Sequence, residues 1–185
     1  GNGRSPFPDY PAGIRAPHGT ISGVSGFQVH IGSEKVNTPG DYCDMLVAMN
    51  PAALKANAKW CKREAMILVD ADSFDDKSME RAGFKTGNPF EELGVEDRVI
   101  IAAPITTLTQ ESLKDSGMDQ KAILKCKNMF TLGMACYIYS RPLDYVHTYL
   151  EKRFAKKHPE VILPNMKVLQ DGFNYAAAIQ AVPNT

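Results

Sequence analysis

The stretch Asp44-Met-Leu-Val-Ala-Met-Asn-Pro-Ala-Ala-Leu54 decides the fold. From Met45 to Met49 every side chain is apolar, so a strand here is apolar on both faces and belongs inside a covered sheet. Asn50 then offers a side-chain oxygen to cap a helix, and Pro51 suits the first helical position, where its missing N–H is not needed. The Ala-, Leu- and Lys-rich run Ala52 to Trp60 reads as that helix.

The pattern recurs downstream. Ala65-Met-Ile-Leu-Val-Asp70 is a second buried strand, with Ser73 or Asp75 opening a short helix that ends near Gly83. Val99-Ile-Ile-Ala-Ala-Pro104 is a third, followed by Thr109 as the expected cap of a helix over Gln110 to Ser116. Buried strands alternating with helices require a mostly parallel sheet covered on each side, an α/β sandwich.

Upstream, Thr20 to Ile31 alternates towards its end and puts Phe27, Val29 and Ile31 on one face, which predicts a half-buried strand ending at Gly32. The first forty residues hold most of the glycines and several prolines, so residues 1–43 read as loop-rich. From Asp119 onward, Ala122, Ile123, Cys126, Met129, Phe130, Gly133, Met134 and Tyr137 recur at three- and four-residue steps. That spacing predicts one long helix closed by Arg141-Pro142. Helices over about Leu143 to Lys157 and about Glu160 to Ala178 follow, separated by His158-Pro159. The 185 residues thus form one domain, loop-rich over 1–43, alternating strand and helix over 44–118, and helical over 119–180.

Charge and hydropathy exclude several classes. Lys plus Arg number 21 and Asp plus Glu number 21, so the basic excess that phosphate binding demands is missing and no nucleic-acid partner is expected. Apolar runs fall short of the roughly 20 residues of a membrane span, and Gly1-Asn-Gly-Arg-Ser-Pro6 lacks the apolar core of a secretory signal. The expectation is a cytoplasmic chain with no membrane partner. Cys43, Cys61, Cys126 and Cys136 form no C-x-x-C and match neither zinc nor iron–sulfur spacing, so reduced thiols and no metal ligands are expected. Cys126 and Cys136 then serve as small apolar residues on a helix.

Most catalytic motifs are missing too. There is no Gly-Lys-Ser/Thr phosphate loop and no H-E-x-x-H helix, and Gly1-Asn2-Gly3 lacks the strand and helix of a dinucleotide fingerprint. Ser22 and Ser25 do not match G-x-S-x-G, and His18 reads as a solvated loop side chain. Asp70, Asp72, Asp75 and Asp76 follow a strand end, a position where α/β proteins bind ligands, although Asp75 and Asp76 also suit a helix start. Arg15 stands out. In Ile14-Arg-Ala-Pro-His-Gly-Thr20 a forked donor, a stiff proline and free amides come together, a set that suits a phosphate or carboxylate as well as a structural ion pair. No complete catalytic set emerges, and no catalytic residue is assigned.

Longer strings are more specific. Phe7-Pro-Asp-Tyr-Pro-Ala-Gly-Ile-Arg-Ala-Pro-His-Gly-Thr20, Gly23-Val-Ser-Gly-Phe-Gln28, Asp44 to Asn50 with Pro51-Ala-Ala-Leu54, and Lys127-Asn-Met-Phe-Thr-Leu-Gly133 resemble the gamma domain of the 2-oxoacid:ferredoxin oxidoreductases. The form most resembled is the one fused to the amino end of the alpha subunit of 2-oxoglutarate synthases. The resemblance continues through Leu150-Glu-Lys-Arg-Phe-Ala-Lys156 and Gly172-Phe-Asn-Tyr175. It implies a three-layer Rossmann-like sandwich with a helical carboxyl-terminal part.

The resemblance also implies oxidative decarboxylation of a 2-oxoacid, 2-oxoglutarate in the form most resembled, to an acyl-coenzyme A, with electrons passed to ferredoxin. Thiamine diphosphate, Mg2+, [4Fe-4S] clusters and coenzyme A serve that complex, and none is expected to bind this chain alone. The family begins with a strand, a glycine-rich loop and a helix that this sequence lacks, and continues into a thiamine-contacting domain beyond Thr185. The implied partners are therefore the remaining alpha-subunit domains, a beta subunit and ferredoxin. By position in the motif, Arg15, with Pro17, Gly19 and Thr20 beside it, is expected to meet coenzyme A or a neighbouring domain. The rival expectation is a noncatalytic assembly module, for which the helix Ala122 to Tyr139, apolar around much of its circumference, is the main sign.

Overall fold

The apolar runs become the strands of one sheet, and turn residues between them decide where the helices start. A computed structural model of the protein describes residues 25–30 and 43–181. Strands β1 (Gly26–Val29), β2 (Cys43–Ala48), β3 (Cys61–Asp70) and β4 (Val99–Ala103) lie in the order β1-β2-β3-β4. β2, β3 and β4 are mutually parallel, and β1 runs antiparallel to β2.

The central strands are apolar on both faces because both faces are covered. Met45 and Val47 of β2, Met66 and Leu68 of β3, and Phe27 and Val29 of β1 enter one core with the carboxyl-terminal helices. Leu46 and Ala48 of β2 and Ile67 and Val69 of β3 enter a second core with Ala53, Leu54 and Val95. The expected three-layer α/β sandwich is thereby realised, with two cores separated by the sheet.

On the second face, α1 (Pro51–Asn57) starts as its sequence dictates: Asn50 Oδ1 accepts from the Ala53 amide at 2.8 Å, and Pro51 fills the first turn. A 3-10 turn, Ala58–Trp60, carries the chain on to β3. A second such turn, Ala71–Ser73, follows β3 and leads to α2 (Asp76–Arg81), with Asp75 at its cap position. Lys55 Nζ donates to the Ala82 carbonyl at 3.1 Å, closing α2 against α1. The short helix α3 (Pro89–Glu92) is capped by Asn88, whose Oδ1 accepts from the Glu91 amide at 3.1 Å.

Past β4 the structure departs from two expectations. Helix α4 (Ile105–Ser112) starts directly after Pro104, so Thr109 is a buried residue inside it and not its cap. The predicted single helix from Ala122 is two, α5 (Gln120–Leu124) and α6 (Lys127–Ile138). At the joint the Cys126 amide reaches the Ile123 carbonyl and the Met129 amide the Cys126 carbonyl, both three residues back. These tight turns keep the apolar residues on one side, so the spacing of side chains continues through a break in the helix.

The last two helices match their expected spans: α7 (Asp144–Phe154), and α8 (Ile162–Ala178) entered through a 3-10 turn at Pro159–Val161. α6 is buried nearly throughout because the sheet lies on one side and α8 on the other. Its apolar circumference, which also suited a helix covered by another subunit, is thus consumed within the chain. Gly133 and Gly172 let α6 and α8 approach until backbone meets backbone.

Candidate functional site

In a parallel sheet the carboxyl ends of the strands open onto the loops that precede the helices, and side chains placed there converge. β3 ends in Asp70, which is fully buried. A buried carboxylate is tolerated only with its lone pairs satisfied. Asp70 Oδ1 accepts from the amides of Asp72 and Thr106, each at 3.2 Å. Its Oδ2 accepts from Thr106 Oγ1 at 2.6 Å and Ser73 Oγ at 3.1 Å. Lys127 Nζ, at the start of α6, completes the cluster 3.8 Å from Asp70 Oδ2 and donates to Thr106 Oγ1 at 3.4 Å.

The arrangement solves a problem at the start of α4. Pro104 occupies the cap position and has no side-chain acceptor, so the first amides of the helix need partners from elsewhere. Asp70 takes the Thr106 amide, and Asp72 Oδ2 takes the Thr107 amide at 2.8 Å. Two carboxylates at a helix amino end also oppose its positive dipole. The cluster therefore locks β3, α4 and α6 together at the carboxyl edge of the sheet. Asp70 is fully buried, whereas Lys127 remains 23% exposed and Asp72 and Thr107 face solvent.

Sequence reasoning noticed Asp70 and Asp72 but assigned Thr106, Thr107 and Lys127 no part. Thr106 is 36 residues from Asp70, and no local pattern announces such a pairing. Ser25, for its part, is tied to this edge by its carbonyl, which accepts from the Met49 amide at 2.7 Å. Arg15, Pro17, Gly19 and Thr20, and His18 and Ser22 with them, lie outside the described residues.

Among the described residues no three His, Cys, Asp or Glu side chains converge as a metal-holding group. All four cysteines are buried and free, as reduced thiols should be. These residues do not fit an iron–sulfur cluster or a magnesium diphosphate site. No helix among the described residues is long and apolar enough to cross a membrane.

A mostly parallel sheet between two helical layers, with polar side chains gathered at its carboxyl edge, defines a Rossmann-like α/β domain. Residues 5–175 match the family model described as pyruvate ferredoxin/flavodoxin oxidoreductase, and the chain belongs to that family. It is 39% identical, over its whole length, to the 2-oxoglutarate oxidoreductase subunit KorA of Mycobacterium tuberculosis. The chain spans 28% of the length of that relative.

Two solved structures share the fold. One is the 2-oxoglutarate:ferredoxin oxidoreductase of Magnetococcus marinus, determined with 2-oxoglutarate, coenzyme A and succinyl-CoA bound. It aligns with a TM-score of 0.54 and 19% identity over 86% of this chain and 27% of its own. The other is the gamma subunit of a keto/oxoacid ferredoxin oxidoreductase from Geobacter sulfurreducens, with a TM-score of 0.50 and 17% identity over 83% of this chain and 79% of its own.

Proposed function

We propose that this chain is the gamma-type domain of a 2-oxoglutarate:ferredoxin oxidoreductase. In that enzyme 2-oxoglutarate is oxidatively decarboxylated to an acyl-coenzyme A and the electrons pass to ferredoxin. The observation that carries the reading is the alignment of the entire chain with the M. tuberculosis KorA subunit. Thiamine diphosphate, magnesium and [4Fe-4S] clusters would supply the carbon–carbon cleavage and electron transfer from other parts of the enzyme.

The role of the domain is to pack on the catalytic parts and help shape the coenzyme A and substrate entrance. Arg15, flanked by Pro17, Gly19 and Thr20, is the group assigned to an anion there, a coenzyme phosphate or a partner carboxylate.

The deciding experiment is recovery of the tagged chain from its native cells, followed by dye reduction driven by 2-oxoglutarate and coenzyme A. Co-purification of a thiamine-binding partner with activity dependent on both substrates is the expected result. Recovery of the chain alone, inactive towards any 2-oxoacid, would overturn the proposal in favour of an assembly module.

A further inference from the structure

The opposite edge of the sheet holds a pair of cysteines that the proposed function does not use. Cys43 opens β2, Cys61 opens β3, and the two are Cα partners across the parallel ladder. Adjacent strands lie about 4.8 Å apart, within the roughly 4.4–6.8 Å between Cα atoms that a disulfide bridges.

Register alone does not bring the sulfurs together, because they must also share a face. Leu46 and Ala48 of β2 face the α1 side, so strict alternation would turn Cys43 to the other side. The register shift between Cys43 and Met45 reverses that, and Cys43 enters the same core as Cys61, Ala65 and Ile67. The irregularity in the ladder is what makes the two thiols neighbours.

Their surroundings differ from those of the other cysteines. Hydrogen bonding between the two thiols raises the pKa of Cys43 and lowers that of Cys61. The Arg98 guanidinium, whose Nε donates to the Lys62 carbonyl at 3.2 Å, further favours the thiolate at Cys61, while Asp44 opposes ionisation at Cys43. Burial alone pushes Cys126 up to about 11 and Cys136 up to about 12, so those thiols are inert at neutral pH.

We propose that Cys43 and Cys61 are a redox pair that hydrogen peroxide converts to an intramolecular disulfide tying the amino end of β2 to that of β3. The Cys61 thiolate attacks one peroxide oxygen, the O–O bond breaks, and the departing hydroxide takes up a proton as water. The Cys43 sulfur, losing its proton, then displaces the oxygen from the Cys61 sulfenic acid as a second water. Two thiols are oxidised and one peroxide is reduced, so electrons balance. Cys61 is the point of entry because the exposed residues Lys62, Arg63 and Glu64 follow it directly.

The test is peroxide treatment of the purified protein without denaturant, then alkylation in denaturant and peptide mapping by mass. The expected product is a Cys43–Cys61 cross-linked peptide, lighter by two hydrogens and released by dithiothreitol, with Cys126 and Cys136 fully alkylated. In Cys43→Ser, Cys61 should stop at a sulfenic acid that dimedone labels. Cys61 oxidised to sulfinic acid with no cross-link in the wild type would overturn the proposal. So would survival of all four thiols at peroxide doses that oxidise the partly exposed Met118 and Met166; the wild-type map decides even if the variant does not fold.

Discussion

Gly133 of α6 and Gly172 of α8 each lie against the backbone of the other helix. A Cβ built on Gly133 would stand 2.0 Å from the Leu169 carbonyl oxygen, and one on Gly172 would stand 2.0 Å from the Phe130 carbonyl oxygen. Both obstacles are backbone, which cannot swing aside as a side chain can. The close approach lets α8 cover α6 while Phe130 and Tyr175 pack with their ring centres 5.8 Å apart.

Gly133→Ala and Gly172→Ala are therefore expected to destabilise the domain although Ala is the better helix former by about 1 kcal/mol. Forcing the helices apart should cost about 3 kcal/mol in either variant. Urea unfolding monitored by circular dichroism measures it, as a lower midpoint with an unchanged slope. A rise in the midpoint would show that α6 and α8 do not cross this closely.

Asp70→Asn leaves a buried amide whose NH2 meets donors that it cannot satisfy. The loss should be about 3 kcal/mol, because Thr106, Ser73 and Lys127 all direct donors at the carboxylate. Thr106→Val removes one hydroxyl and keeps the backbone bond to Asp70, so about 1 kcal/mol is expected. Equal effects of the two substitutions in chemical denaturation would contradict Asp70 as the hub of the cluster.

The same cluster shows why the fold was more legible than the site. Buried strands announce themselves by unbroken apolar runs, and Asn50-Pro51 announces its helix because cap and capped amide are three residues apart. At α4 the caps are Asp70 and Asp72, supplied from the end of another strand, and the local candidate Thr109 lies inside the helix. The Cys126 joint escaped for a related reason: periodicity records which way side chains face, and the tight turns there preserve it. The Cys43–Cys61 pair depends on a register shift, which spacing along the chain does not encode.

Glu92 offers a pH-dependent probe of the loop before α3. Its carboxylate accepts from the Lys85 and Thr86 amides at 3.0 and 2.9 Å and from Thr86 Oγ1 at 2.7 Å. Those bonds, the backbone ones foremost, hold its pKa below the usual Glu value. A depressed folded pKa stabilises the loop above the unfolded value of about 4.3, and the stabilisation disappears as pH falls through the lower folded value. Protection of the Lys85 and Thr86 amides from hydrogen exchange, corrected for intrinsic rates, should be constant above about pH 5 and weaken on acidification. Glu92→Gln should show the weakened protection at every pH, and a pH-independent wild type would sink the assignment.

The Arg15 assignment separates binding from chemistry in the assembled enzyme. A guanidinium that grips a coenzyme phosphate acts on the bound and reacting states alike, so its loss should raise the KM for coenzyme A and leave kcat nearly unchanged. One charge-assisted contact of about 1.5–3 kcal/mol corresponds to roughly a tenfold or greater rise in Arg15→Ala. Arg15→Lys keeps the charge without the fork and should fall between the two. If the partner is instead a carboxylate on a neighbouring domain, the KM stays and the complex dissociates at lower salt, which gel filtration across an ionic-strength series detects. An unchanged KM together with unchanged assembly would remove Arg15 from the functional site.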